Sequence, residues 1–390
     1  MLKTLKILLI IFLTLYSIRS AKISFFEAQS NSYDLLTTWS SAKLLSQKIN
    51  HYELTLNNIK ERILKKDDTK WTKEKDEGGE YSHLFYIIFY PFSFTTFDNT
   101  KIIWSFINIL LAIFIPYFIG RSLKLSSIEI FISITLFFIS FPVRSTISLG
   151  QNSLFILLFF SLPFIINNKL TAAISGISYS KYSFGYVLFL YYINKKKYLF
   201  FSLIPSVIGW LIYALITNSN LIINLFEPIE VALAKQTTAG LQSFFSFFKF
   251  YLISENLKFI IFLLYIFISA YFVFQIQKRI QNNIHKLSLL CLISLTFMPH
   301  WGHDYVFLLP LALVSYKYIR KKLGKINFFF ITYFIFVEGY LLKFLSIIKI
   351  NLHDISFWLH QYLYYLFFLI IIINLSLNKE FNLIKKNRTY

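Results

Sequence analysis

The chain has 390 residues, 56% of them hydrophobic and 20% aromatic, with 46 phenylalanines, a mean hydropathy of +0.58 and a formal net charge of +20. Repeated apolar runs of bilayer-crossing length imply an all-α polytopic membrane protein forming one unit over residues 1–390, and exclude a β-barrel, whose strands would alternate apolar and polar residues. The positive charge does not describe a nucleic-acid face, because the basic residues sit in short clusters between apolar runs, as in cytoplasmic loops.

The amino terminus carries Lys3 and Lys6, an apolar stretch Ile7 to Leu15 and then Ser20-Ala21. That pattern is signal-peptide-like, but the many apolar runs that follow make it an uncleaved first helix that sets the orientation. Further helices are expected at about 101–120, 126–142, 151–167, 198–217, 258–277, 285–299, 304–320, 326–346 and 355–376, after a first at about 4–20. Arg121 and Lys124, Lys195-Lys196-Lys197, Lys278-Arg279 with Lys286, Arg320-Lys321-Lys322 with Lys325, and Lys385-Lys386 with Arg388 all belong on the cytoplasmic side. This alternation requires residues 170–194 to cross twice, as two short helices breaking near Ser180-Lys181. About twelve spans result, with both termini cytoplasmic, in what is expected to be a bacterial plasma membrane.

Two extracytoplasmic loops stand out. The first covers roughly residues 21–100, with a polar part to about 82 and an apolar interfacial or re-entrant piece, about 84–97, broken by Pro91. The second, about 218–257, holds a short aromatic helix from Phe244 to Leu252. The one cysteine, Cys291, rules out an intrachain disulfide or a cysteine metal site.

With this topology the polar residues of interest gather outside: Asp34, Gly150-Gln151-Asn152, Lys181, Gln242-Ser243, and Pro299-His300-Trp301-Gly302-His303-Asp304-Tyr305. Amides left unpaired in hydrocarbon would cost several kcal/mol, so the Gly-Gln-Asn knot between two greasy segments belongs at a surface or a cavity. Each has a plainer reading. The knot is then a simple helix–helix turn, Asp34 an N-cap for Leu35 to Gln47, and Lys181 a snorkelling helix-end lysine. His300 and His303 with Asp304 form at most a weak metal motif, and Trp301 and Tyr305 are interfacial belt residues. Glu338, inside an apolar span, stays unassigned.

The succession of these segments resembles glycosyltransferase family 87, polytopic GT-C-type enzymes that use polyprenyl-phosphate sugars. Asp34 to Ala42, closing at Asn50-His51-Tyr52, is similar to the family's acidic residue followed by an aromatic-rich helix. Phe141-Pro142 and Leu149 to Ser153 resemble its Gly-Gln-Asn segment, and Gly176 to Lys181 its glycine-containing helix ending in lysine, with Tyr182 where a proline is usual. Tyr81-Ser82-His83 stands where a Tyr-Pro-Pro-like stretch is usual, without the proline pair. Gly240 to Ser243 is like its Asn-Gln-Ser element with Leu241 for Asn, and Pro299, Trp301, His303 and Tyr305 look like its Ser-Pro-x-x-Trp-x-His-x-Tyr element, one residue shorter and with Met298 for Ser.

The resemblance implies transfer of a hexose, mannose by family analogy, from a polyprenyl-phosphate sugar to a glycolipid or glycan hydroxyl on the outer face. It makes Asp34 the general base of a single inverting displacement. Lys181, with His303 as a second candidate, would meet the leaving phosphate. Gln151, Asn152, Gln242 and Tyr305 would line the donor or acceptor, with no metal or other cofactor required and membrane lipids around. Two other classes compete: a transporter or flippase of lipid-linked sugars, and a catalytically inactive scaffold for envelope assembly. A transporter would keep polar groups at mid-membrane, whereas here, Glu338 apart, they collect at helix ends.

Overall fold

A computed structural model describes residues 2–65, 79, 81–236, 255–297 and 302–322. The expected helices at about 326–346 and 355–376, Glu338, Gln242 and its aromatic helix, and Pro299 to Trp301 lie outside these residues.

Among the described residues the chain is helical throughout, with no strand. The first helix, α1 (Leu2–Asn31), is longer than expected: at 1.5 Å per residue its 30 residues reach roughly 45 Å, beyond a hydrocarbon core of about 30 Å. The expected first loop is therefore helical at its start. It continues as α2 (Tyr33–Ser46) and α3 (His51–Lys65). After α4 (His83–Phe89) the chain tightens into a 3₁₀ turn at Tyr90–Phe94, with Pro91 in its first turn.

Then come α5 (Phe97–Ser122), α6 (Ser127–Ile139), α7 (Phe141–Ser148) and α8 (Ser153–Ile165). The helix expected at about 126–142 is instead two, bent by 59°. Pro142 supplies no N–H and its ring crowds the carbonyl four residues back, so the ladder breaks at Ser140, which ends one helix and starts the next. A capping box at Ser126 and Glu129 starts α6.

Next are α9 (Lys169–Ser175), a 3₁₀ turn at Gly176–Ser180, and α10 (Tyr182–Ile193), broken at Lys181 in extended backbone. A Cβ on Gly176 would collide with the Ser202 carbonyl, so this glycine lets α9 lie directly on α11 (Lys196–Thr217). The described chain closes with α12 (Leu221–Gln236), α13 (Glu255–Arg279), α14 (Asn283–Phe297), a 3₁₀ turn at Gly302–Leu308 and α15 (Leu309–Lys322). The expected loop at 218–257 thus begins as a helix.

By length and composition two described helices can cross a membrane, α5 and α11, or three if the bent pair α6–α7 is one span. Helices α8, α10 and α14 are apolar but shorter, at 13, 12 and 15 residues. At 13 residues α8 is roughly 20 Å long, and most of its side chains are covered by protein. The described helices thus establish two or three spans of the expected twelve, and the helices expected at about 326–346 and 355–376 lie outside them.

The surface nonetheless has the polarity of a membrane protein. Along α5, Ile102, Ile103, Phe106, Phe114 and Phe118 are exposed. Helix α12 is inside out: Ile222 is 73% and Phe226 52% exposed, while Asn224 is 0% and Glu227 6%. Such a helix in water would expose its greasy face and hide its polar one, which only an apolar surrounding makes favourable.

Among the described residues the basic clusters meet at one end of the molecule. Asn194 Nδ2 donates to Gln277 Oε1 at 2.8 Å, bringing the Lys195 cluster to Lys278-Arg279. Tyr316 Oη donates to Glu129 Oε1 at 2.7 Å, bringing the end of α15 to the α5–α6 turn. At the other end α1 delivers the chain into α2, fixed by Lys101 Nζ donating to the Gln29 carbonyl at 2.7 Å.

A buried polar knot joins α2, α3, α11 and α12. Asn50 Nδ2 donates to both Glu227 oxygens at 3.0 and 2.9 Å, and Asn224 Nδ2 to Oε2 at 2.7 Å. Asn50 Oδ1 accepts from the Tyr52 backbone N–H and from Tyr213 Oη. Removing the Asn50 amide strips donors from a buried carboxylate, so Asn50→Ala should cost roughly 1.5–3 kcal/mol. Thermal unfolding in detergent checks this; an unchanged midpoint would contradict it.

Candidate functional site

The site is built around a left-handed turn. At the end of α7, Gly150 has φ +68°. Its N–H bonds the Ile147 carbonyl at 3.2 Å, and the Gln151 N–H bonds the Thr146 carbonyl at 2.9 Å, the double closure that a glycine after a helix end permits. A second constraint also demands glycine. A Cβ there would sit 2.6 Å from Leu35 Cβ and 3.4 Å from Ser32 Cβ. The turn is therefore seated against the first turn of α2, which carries Asp34.

From behind, α5 pins the turn. Trp104 Nε1 donates to the Gly150 and Gln151 carbonyls at 3.1 and 3.2 Å, and Asn108 Nδ2 to the Gln151 carbonyl at 3.1 Å. Trp104 and Asn108 are buried and are invisible as site residues in the sequence, where they sit in an ordinary apolar helix. The turn's carbonyls are thus satisfied without water. Gln151 points its Oε1 toward Tyr81 Oη, at 3.5 Å. Asn152 is 3% exposed, and its Oδ1 is buried with no hydrogen-bond partner among the described residues, a polar atom in want of a ligand.

Asp34 is not the N-cap of α2; Ser32 takes that place, with Ser32 Oγ donating back to the Ala28 carbonyl. The Asp34 carboxylate sits in the first turn, where the helix dipole favours a negative charge. It is half-buried and accepts no hydrogen bond from a described residue. Its charge reaches His303.

Lys181 does not snorkel. Its ammonium turns inward and makes an ion pair with Asp304 Oδ1. It also donates to Ser153 Oγ at 3.3 Å, and Ser153 Oγ donates to the same Asp304 oxygen at 2.5 Å. Three segments, α8, the break before α10 and the 302–308 turn, are thereby tied at one point. The floor beneath is apolar: the Phe184 and Phe307 rings stack, and Lys181 Nζ lies 5.6 Å above the Phe184 ring. Asp304 is fully buried.

His303 stands beside the pair, Nε2 3.8 Å from Asp304 Oδ1, with its carbonyl accepting from Thr146 Oγ1 at 3.4 Å. Burial pushes its pKa down to about 4, against the pull of the Asp304 and Asp34 charges. At neutral pH it is an uncharged imidazole, a hydrogen-bonding group rather than a second cation. Tyr305 is buried within the main apolar cluster, so it is not a lipid-facing belt residue.

The structure therefore brings together Asp34, Gln151, Asn152, Lys181 and His303 at the end of the molecule away from the basic clusters. Ser153 and Asp304 complete the set. Neither could be assigned from sequence, because their partners lie 151 and 123 positions apart.

A lysine, a neutral histidine and a carboxylate gathered around a polar turn are groups that general acid–base and electrostatic catalysis of group transfer can use. A model of glycosyltransferase family 87 matches residues 81–299, more than half of the chain. The protein belongs to glycosyltransferase family 87. The matched segment holds Gln151, Asn152, Ser153 and Lys181; Asp34, His303 and Asp304 flank it. No curated protein and no solved structure matches the chain.

Gly150→Ala should cost about 1–2 kcal/mol in backbone strain alone and push Leu35, hence Asp34, from its seat. Transfer activity should fall further than the melting temperature suggests. An alanine variant with wild-type melting and activity would show that the turn tolerates other backbone.

Proposed function

We propose that the protein transfers a hexose, mannose being the expected one, from a polyprenyl-phosphate sugar to a hydroxyl of a glycolipid or glycan acceptor. The observation that carries the reading is the placement of Asp34: a carboxylate engaged by no described donor, on the helix turn whose Ser32 and Leu35 pack on Gly150, and within charge range of His303, which borders the Asp304–Lys181 pair. A base must be within hydrogen-bond reach of the proton it takes and must not be committed elsewhere.

In this mechanism the acceptor hydroxyl attacks the anomeric carbon while Asp34 takes its proton, in one inverting displacement. The leaving group is a phosphate and needs no general acid, only stabilisation of its growing charge. Lys181 supplies a cation there and neutral His303 a hydrogen bond. Asn152 and Gln151 face sugar or acceptor hydroxyls; Gln242 and Tyr305 keep their expected place in the donor site as part of the proposal. No metal or organic cofactor takes part. The partners are the lipid-linked donor, the acceptor and the surrounding lipids.

In the membrane, the end with the basic clusters faces the cytoplasm, as do both termini, and the site opens at the outer face of a bacterial plasma membrane. The additional short apolar helices complete the GT-C-like bundle.

Asp34→Asn keeps the shape and removes the base. It should lower turnover by 10²–10⁴-fold with unchanged expression and melting, measured as labelled sugar passing from a polyprenyl-phosphate sugar into membrane glycolipid. Undiminished transfer in that variant would sink the assignment. Labelled lipid crossing the bilayer without transfer would favour a flippase.

A further inference from the structure

We propose that Asp304 is the counter-ion that sets the donor preference of this site, holding the Lys181 charge balanced so that a singly charged phosphodiester binds in preference to the doubly charged phosphomonoester left after transfer. The inference rests on the glycosyl-transfer reading above. It concerns a residue that reading leaves without a part in the chemistry.

An ammonium has three hydrogens. Two of those on Lys181 are directed at Asp304 and Ser153. The side chain keeps 13% exposure and no further acceptor among the described residues takes its third hydrogen, which can meet a ligand, while Asp304 is sealed at 0%. Asp304 therefore cannot meet the ligand directly, but its charge acts on whatever Lys181 holds. The Ser153 hydroxyl, donating to Asp304 at 2.5 Å, fixes that charge in place. Without Asp304 the pocket would present a bare buried cation over the Phe184 ring. Such a cation would grip any anion, and a dianion most tightly.

The reaction changes the charge of what is held there. The bond between the anomeric carbon and a phosphate oxygen breaks, with the electron pair staying on that oxygen. A bond from the anomeric carbon to the acceptor oxygen forms, and the acceptor proton passes to Asp34. The phosphate enters as a diester with one negative charge and leaves as a monoester whose second ionisation, near pH 6, gives it about two at higher pH. Once Asp34 returns its proton to solvent, the product faces two carboxylates. A fixed negative charge some 6 Å from the phosphate, in a medium of effective dielectric about 20, acts on each unit of ligand charge with a weight of roughly ten- to a hundredfold in affinity. The product carries one unit more than the donor, so Asp304 weakens its hold selectively and favours release.

The test uses full-length protein in neutral-lipid nanodiscs at pH 8 and fixed ionic strength. The probes are farnesyl phosphate, a monoester, and its methyl diester. Asp304→Asn should tighten the monoester about tenfold or more beyond any change in the diester, and Asp304→Ser should do the same. Equal shifts for both probes, or weaker binding of both, would overturn the proposal. If neither neutral variant gives folded protein, Asp304 is a fold-holding residue and the proposal also fails. A wild-type protein that binds neither probe would instead remove the phosphate site itself, and with it the reading on which this inference stands.

Discussion

The left-handed turn at Gly150 is the constraint on which this end of the molecule depends. Because the residue has positive φ, α7 can stop and α8 start within four residues. Because it lacks a Cβ, the start of α2 can lie directly on the turn. Trp104 and Asn108 then occupy the turn's outward carbonyls from α5. Four helices are fixed to one another by a glycine and three side-chain hydrogen bonds, in surroundings where an unpaired carbonyl would be costly. Asp34 inherits its place from that seating.

A second tie holds another part of the site together. The Lys181–Asp304–Ser153 triangle joins the break before α10, the 302–308 turn and the start of α8. Replacing a buried ion pair by apolar side chains is often neutral for stability, so this one needs a reason beyond holding the fold. Its location, one residue from His303 and one from Asn152, supports a role in handling charge. The neutral state of His303 fits the same economy: a third charge would unbalance a pocket whose proposed substrate is itself an anion.

Much of this was legible in the sequence for identifiable reasons. Apolar runs announced the membrane class, and the need to keep the Lys195 cluster cytoplasmic announced a helix break near Ser180-Lys181. The Gly-Gln-Asn knot was visible because polar residues stand there between two apolar segments. The extent of the spans was not. An apolar helix such as α8 has the same composition whether lipid or protein covers it, and only its 13-residue length distinguishes the two. The roles of Trp104, Asn108 and Asp304 were hidden because they come from partners far away in sequence. Neither the extension of α1 to Asn31 nor the burial of the polar face of α12 follows from periodicity alone; both are tertiary outcomes.

The central claim is that Asp34 and Lys181 act on one substrate from opposite sides. The most direct measurement is a cryo-EM structure of the protein in nanodiscs with a short-chain isoprenyl phosphosugar bound. The account predicts a phosphate oxygen within hydrogen-bond reach of Lys181 Nζ, with the anomeric carbon facing Asp34 across a gap of about one hydroxyl or water. A phosphate bound elsewhere, or an Asp34 carboxylate too remote for a single bridging hydroxyl to connect it to the sugar, would contradict it.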